Sequence, residues 1–302
     1  MTCPVTHYIN ENLSGDGAFE PVRFNGWPEL KEAFLSNDLQ GTFMLAPLAM
    51  KLREEGVKIK IVYLGHRDGT TMMVHKDSDI RDIRDLRGKT VAIPNRYSNQ
   101  YLIIYKALRE RNMNIKDVRT VEMPPPDMPA ALENQSVDAI IAGEPIMAST
   151  QLAGYGRVLF MTKDVWPEFI SCVLAVREDA INNRRDEVQR LVDGIARSGM
   201  WLDSDKDDAG KTWNHRMQAA QFVSKKYYGN QDPKLMEFVL SQPPDRVKYT
   251  NLNVRRQDFE EIERYFKESG GFKGTVGFDD YTDASFVPLG RVITPYKWEA
   301  PK

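Results

Sequence analysis

NQSVDAIIAGEPIMAS, residues 134–149, is the stretch from which the fold can be read. A polar turn, Asn134 to Ser136, leads into a short run with β-branched residues, Val137 to Ile141. Gly143, Glu144 and Pro145 interrupt that run, and a new segment begins at Ile146. SNDLQGTFMLAPLAMKL, residues 36–52, repeats the outline: polar turn, short apolar run (Thr42 to Leu45), a small residue with Pro (Ala46, Pro47), then a helix-like continuation. An amphipathic helix pattern precedes each copy. The spacing therefore predicts helix, turn, buried parallel strand, tight loop and helix, built once in each half of the first 150 residues. In open α/β sheets the loops leaving the carboxyl ends of strands form the ligand crevice. Two such loops on two lobes predict a cleft closed from both sides.

At 302 residues the chain is long enough for two domains of ordinary size. Hydrophobic residues make up 41% and charged residues 28%, a soluble globular profile. Lys plus Arg total 41 and Asp plus Glu 43, for a formal charge of −2, so there is no electrostatic case for nucleic acid or an anionic membrane. The longest apolar run, about Phe169 to Val176, falls short of the ~18 residues a membrane helix needs, and no membrane insertion is expected. MTCPVTHYIN has neither the basic region nor the apolar core of a signal peptide, leaving open a cytoplasmic chain or a mature or truncated form. Cys3 and Cys172 are the only cysteines; their spacing makes no metal or redox motif, and a disulfide framework is excluded by number. The four His residues show no metal-ligand spacing, and the glycines form no phosphate loop. Neither a metal nor a cofactor is expected.

Taken in order, residues 1–10 are barely strand-like, and the first strand is expected upstream of Met1 or ending at it. FEPVRF, 19–24, reads as a short strand, followed by a helix capped by Asn25 or Gly26 with Pro28 in its first turn. Strands are expected at 42–45, 59–64, 90–93, 118–122, 137–141 and 158–161, with Thr70 to Val74 continuing extended. Phe169 to Val176 is read as the return crossing into the first lobe, and most of the chain beyond it has helical spacing. The predicted organisation is a discontinuous first lobe, 1–78 with 168–302, and an inserted second lobe, 79–167. Each lobe is expected to be a mixed, mostly parallel sheet flanked by helices, with a hinge at the two crossings.

FNGWPEL…AP, GHRDGT, DLRGKTVAIP, MPPPDMPAALENQSVDAIIAGEP, DRVKYTNL and FDDYTDASF together resemble the substrate-binding proteins of ABC importers. The branch is the nitrate/sulfonate/taurine group, which includes thiamine-precursor binders. The resemblance covers nearly the whole chain and implies a two-lobed, type II periplasmic-binding fold. It also implies one small-molecule ligand in the cleft, no catalysis, a membrane permease as partner, a monomer, and a periplasmic or extracellular location.

Six loops are expected to face the cleft. From the first lobe come Cys3 to His7, Asn25 to Trp27 (with Gly26), Ala46 to Pro47, and His66 to Asp68; from the second come Ser98 to Tyr101 and Gly143 to Pro145. Ser98, Asn99 and Gln100 sit at a helix start, where free N–H groups suit a sulfonate, carboxylate or nitrate oxygen, or where a residue simply caps its own helix. Arg67 is placed either on an anion or in a pair with Asp68 or Glu144. Glu144 accepts from a ligand N–H, braces its loop, or pairs across the lobes. His66 is a ligand contact or a structural residue. Trp27 and Tyr101 stack on a planar ligand or belong to the core.

Cys3-Pro4-Val5 also resembles the nucleophile context of an aromatic sulfinate desulfinase of the same superfamily. That likeness implies an alternative, an enzyme on this scaffold with Cys3 as nucleophile and His7 or His66 as its partner. The other reading is a small thiol lining a binding site. A pyrimidine-precursor synthase branch uses a Cys-rich motif that two cysteines do not supply.

Overall fold

The computed structural model describes residues 2–14, 19–24, 27–204, 215–227 and 232–288. Its strands are β1 (Gly41–Met44), β2 (Ile59–Asp68), β3 (Thr70–His75), β4 (Thr90–Ile93), β5 (Arg119–Glu122), β6 (Ala139–Gly143), β7 (Gly156–Met161), β8 (Ile170–Arg177) and β9 (Val247–Lys248). They form two sheets, one ordered β1-β8-β2-β9 and the other β5-β4-β6-β3-β7. Both stretches of the doubled pattern fold as strand, loop and helix. β6 runs into the helix Ile146–Leu152, and β1 into the helix Ala46–Glu54, with Pro47 in its first turn. Among the described residues no helix is long and apolar enough to cross a membrane.

In the second sheet β4 pairs parallel with β5 and β6, the geometry that strand–helix repeats produce, while β3 pairs antiparallel with β6 and β7. The first sheet departs from the mostly parallel arrangement expected. The return strand β8 lies between β1 and β2 and is antiparallel to both. Its apolar run ISCVLAV is buried on both faces, which is why it reads as continuous rather than alternating.

The first crossing is not near residue 78. β2 ends at Asp68 and β3 begins at Thr70 in the other sheet, so the chain changes sheets at Gly69. Asp68 and Gly69 both adopt left-handed backbone, φ 58° and 78°, turning the strand out of its first plane. Gly has no Cβ to resist this, and Asp tolerates it better than most residues. The return crossing lies between Met161 and Ile170, where Glu168 is also left-handed at φ 60°.

Two other expectations fail at the start of the chain. Val5–Ser14 is a helix with Pro4 just ahead of it, so Cys3 to His7 is the entry to a helix and not a continuous loop. Residues 19–24 form no strand and pair with none of the described strands; Pro21 has no N–H to give a ladder.

The largest apolar cluster spans both sheets, from Ile61, Leu64 and Leu174 to Val91, Ile93 and Leu102. The helix Asn99–Arg109 packs on the helix Arg256–Glu268, with the rings of Tyr105 and Tyr265 6.0 Å apart and Trp166 5.5 Å from Tyr265. A smaller cluster (Val5, Ile9, Trp201, Phe222, Val239) holds the N-terminal helix against the C-terminal helices.

Candidate functional site

A cavity of about 710 Å³ opens between the sheets. Cys3, His7 and Tyr8 line it from the N-terminal helix, and Thr42, Phe43, His66, Ser171 and Leu174 from the first sheet. Pro94, Gln100, Gly143, Glu144 and Ile146 line it from the second. Residues 19–24, expected as a strand, cover one side of it instead.

One corner concentrates soft donor atoms. His66 on β2 and Cys172 on β8 are partners in the antiparallel ladder, so their side chains leave the sheet side by side. The ladder is irregular on both sides of His66, and such bulges re-aim side chains. Gly65 leaves the needed room: a Cβ there would lie 2.9 Å from Phe43 and 3.1 Å from Cys172 Sγ. Cys3 arrives from the N-terminal helix, its Sγ 3.5 Å from His66 Nε2, and Thr2 Oγ1 lies 3.2 Å from the same nitrogen. His66 Nδ1 is 3.4 Å from the carbonyl oxygen of Arg67. The Cys3 thiol is held well below its ordinary range by the Cys172 hydrogen bond, aided by His66 and opposed by burial. Cys172 is pushed well up, by burial first and then by its neighbour Cys3.

Glu144 is buried and fully engaged. Oε1 accepts from Thr71 Oγ1 at 2.8 Å and from Arg246 Nη1 at 2.8 Å, and Oε2 accepts from the Ala148 N–H at 2.8 Å. Burial raises its pKa against the pull of Arg246. Arg246 precedes β9 of the first sheet, so of the roles open to Glu144 the structure supplies two together: it braces its own loop and pairs across the lobes.

Arg67, next to His66 on β2, does not line the cavity. It is fully buried and pairs with Asp258 at 2.7 Å, rather than with Asp68 or Glu144. Its other donors reach the carbonyls of Glu168 at 2.7 Å and Asn251 at 2.8 Å. Arg67 thus ties one crossing to the other. Ser98 caps its own helix by accepting from the Tyr101 N–H at 3.2 Å. Asn99 donates to the carbonyl of Ser171 and does not line the cavity. Gln100 does line it, donating to Thr70 Oγ1 at 3.1 Å and leaving its Oε1 without a protein partner. Tyr101 packs against the core, and Ala46 and Pro47 are buried in the first turn of their helix, outside the cavity lining. His7 lines the cavity with Nδ1 unpartnered, and burial lowers its pKa to about 4. Gly26 and the side chain of Trp27 lie outside the described part of the chain. Cys172, Arg246 and Thr71 escaped the sequence reading: each meets its partner only across a sheet or between the lobes.

Residues 10–217 match the NMT1-like family. A curated relative, the nitrate import ATP-binding protein NrtC of Synechocystis, is 24% identical over 179 residues, 53% of this chain. The matched stretch spans only 27% of that relative's length. Among solved structures, a ligand-binding component of an ABC-type import system from Staphylococcus aureus, with zinc bound, superimposes with TM-score 0.81 at 25% identity, covering 95% of this chain and 94% of that one. The periplasmic nitrate-binding protein NrtA of Synechocystis gives 0.78 at 14% identity, covering 95% and 84%. The periplasmic aliphatic sulphonate-binding protein SsuA of Escherichia coli gives 0.73 at 15%, covering 100% and 93%. The desulfurization enzyme DSZB shares the fold more distantly, at 0.62 and 14%, over 94% of each chain. The fold is the two-lobed one of the periplasmic binding proteins, and the chain belongs to the NMT1-like family.

Proposed function

We propose that this chain is the substrate-binding component of an ABC importer, working outside the membrane with a permease and its ATPase. The observation that carries the reading is the interlobe cavity, to which both sheets contribute polar groups among apolar walls. A molecule touching Cys3, His7 and His66 on one side and Gln100 on the other favours the closed state, because only that state offers both sets of contacts. The ligand class we propose is a small organic anion or zwitterion, such as a sulfonate. Tyr8, Leu30, Phe43, Leu45 and Leu174 wall a space far larger than nitrate fills, and they suit an organic body beside a polar head.

Thermal unfolding against nitrate, taurine, alkyl and aryl sulfonates and aromatic carboxylates tests this. At about 100 times Kd a ligand adds about 2.7 kcal/mol, a shift of several degrees in Tm. Organic sulfonates are expected to raise Tm and nitrate to leave it unchanged. A flat response across the panel would sink the reading.

A second reading, catalysis by Cys3, draws on the 3.5 Å approach of its thiol to His66 and its depressed pKa. Turnover of an aryl sulfinate that is lost in Cys3→Ser would favour it. Binding of the same compound without product would exclude it.

A further inference from the structure

The corner of the cavity formed by Cys3, His66 and Cys172 goes beyond what a solute pocket for an organic molecule requires. These are two thiols and an imidazole drawn from three separate parts of the chain: the N-terminal helix entry, β2 and β8. One ligand atom from each, Sγ, Nε2 and Sγ, lies within 4.8 Å of both others. Cys172 and His66 are buried, whereas Cys3 and His66 reach the cavity wall. Zn²⁺ sites with two Cys and one His are three-ligand sites that keep a fourth position for water or a substrate. Thiolate and imidazole donors select Zn²⁺ and Cu⁺ over hard cations.

The surroundings of His66 fit the same chemistry. A metal-binding imidazole usually donates its second ring N–H to a carbonyl or carboxylate, which fixes the tautomer and leaves the other nitrogen free to ligate. Here Nδ1 sits 3.4 Å from the Arg67 carbonyl oxygen, and Nε2 lies 3.5 Å from the Cys3 sulfur. Arg67 is itself anchored by Asp258 and two carbonyls, so the carbonyl that orients His66 stands on a rigid part of the sheet. Gly65, beside Cys172, leaves the space a side chain would fill.

We infer that Cys3, His66 and Cys172 form a binding site for a thiophilic d¹⁰ cation of the Zn²⁺ class, with its fourth coordination position open to the interlobe cavity. Binding replaces the two thiol protons with two metal–sulfur bonds and releases those protons to solvent; the imidazole contributes its Nε2 lone pair and loses no proton. No electron is transferred. The open position then offers a coordination bond to an oxygen or nitrogen of a molecule held in the cavity. The site rests on the three side chains alone, and it stands or falls independently of the importer reading.

The test is titration of reduced, chelator-stripped full-length protein with Zn²⁺ against a chromophoric chelator, and with Co²⁺ followed by absorption. The expected result is one equivalent of Zn²⁺ per chain. With Co²⁺ the expected result is a near-ultraviolet thiolate-to-metal band with the visible bands of a tetrahedral ion. Cys172→Ser and Cys3→Ser should each abolish the thiolate band or weaken it sharply. His66→Ala should cost at least about tenfold in affinity, since even residues behind a ligand cost 10- to 100-fold. A wild-type measurement covers the case of a variant that misfolds: Zn²⁺ should slow iodoacetamide labelling of Cys3 in proportion to its occupancy. Less than one equivalent bound, uptake undiminished in folded Cys172→Ser, or labelling of Cys3 unaffected by Zn²⁺ overturns the site.

Discussion

Arg246, just ahead of the last strand of the first sheet, places Nη1 2.8 Å from Oε1 of Glu144, which follows the strand β6 of the second sheet. Both side chains are almost completely buried. Arg246 also donates to Gln151 at 3.1 Å and lies over the Phe238 ring, while its carbonyl accepts from the Gly69 N–H at the crossing, 2.9 Å away. One residue thus connects the sheet crossing at Gly69 with Glu144 and with Gln151 of the helix Ile146–Leu152.

Removing one partner of this pair leaves an uncompensated buried charge, which costs about 3–5 kcal/mol. Arg246→Ala is expected to lower stability by that amount in urea unfolding. Arg246→Met combined with Glu144→Gln should cost less than the sum of the two single changes, because no charge is then stranded. Additive losses would show that the two side chains do not act as a pair.

Arg67 gives a different signature. Its guanidinium satisfies one carboxylate and two carbonyls in three directions, an arrangement the point charge of Lys cannot reproduce. Arg67→Lys should lower stability by about 2 kcal/mol or more, through the lost hydrogen bonds. Ligand affinity, measured by calorimetry where the variant is folded, should stay within about twofold, since the side chain does not line the cavity. A large loss of affinity with unchanged stability would return Arg67 to the ligand site.

Asp68 and His7 impose opposite pH dependences. Burial pushes the Asp68 carboxyl up to about 6, with Lys248 3.7 Å away opposing it. The folded chain therefore holds a proton that the unfolded chain releases near pH 4, and stability falls as pH rises from about 4 to 6. Asp68→Asn removes that loss and suits the left-handed backbone at this position. It is expected to be more stable than wild type by up to about 3 kcal/mol at pH 7, and not at pH 4. Burial lowers His7 to about 4, so stability present above its unfolded pKa of about 6.5 is lost as pH falls between these values, by up to about 3 kcal/mol. His7→Gln should flatten that acid limb. Denaturant midpoints at pH 4, 5.5 and 7 for the two variants separate the effects; identical profiles for wild type and variants would refute both.

Gly65→Ala inserts a methyl 2.9 Å from Phe43 and 3.1 Å from Cys172 Sγ, both in packed surroundings. Overpacking of this kind costs about 1–3 kcal/mol. Because the crowded atoms include the Cys172 sulfur, the variant should also label faster than wild type at Cys172 on mild heating. Unchanged stability would mean that β2 and β8 separate more easily here than their ladder implies.

The doubled strand–loop–helix pattern was readable because it is local. β-branched runs ended by small residues and Pro dictate β6 with its following helix, and β1 with its own, wherever those elements later pack. The helix start at Ser98 was legible for the same reason: a hydroxyl at that position caps the chain beside it. The sequence also named Cys3, His7, His66, Gln100 and Glu144, all of which line the cavity, but only Glu144 does so from a loop at a strand end; Cys3 and His7 come from a helix entry, His66 from within β2 and Gln100 from the first turn of a helix. Which way each side chain faces was beyond it. Arg67 and His66 are neighbours on β2, yet His66 lines the cavity while Arg67 is buried against Asp258, and the ladder irregularity between them leaves no local signal. The turn at Asp68 and Gly69 hid the crossing, because two left-handed residues inside an otherwise extended run leave no break in hydrophobicity. Cys172 and His66, and Arg246 and Glu144, stand about 100 residues apart in the chain, and their pairing arises from ladder register and from the meeting of the lobes. Local propensity fixed the elements, while long-range packing decided which donors and charges share a space.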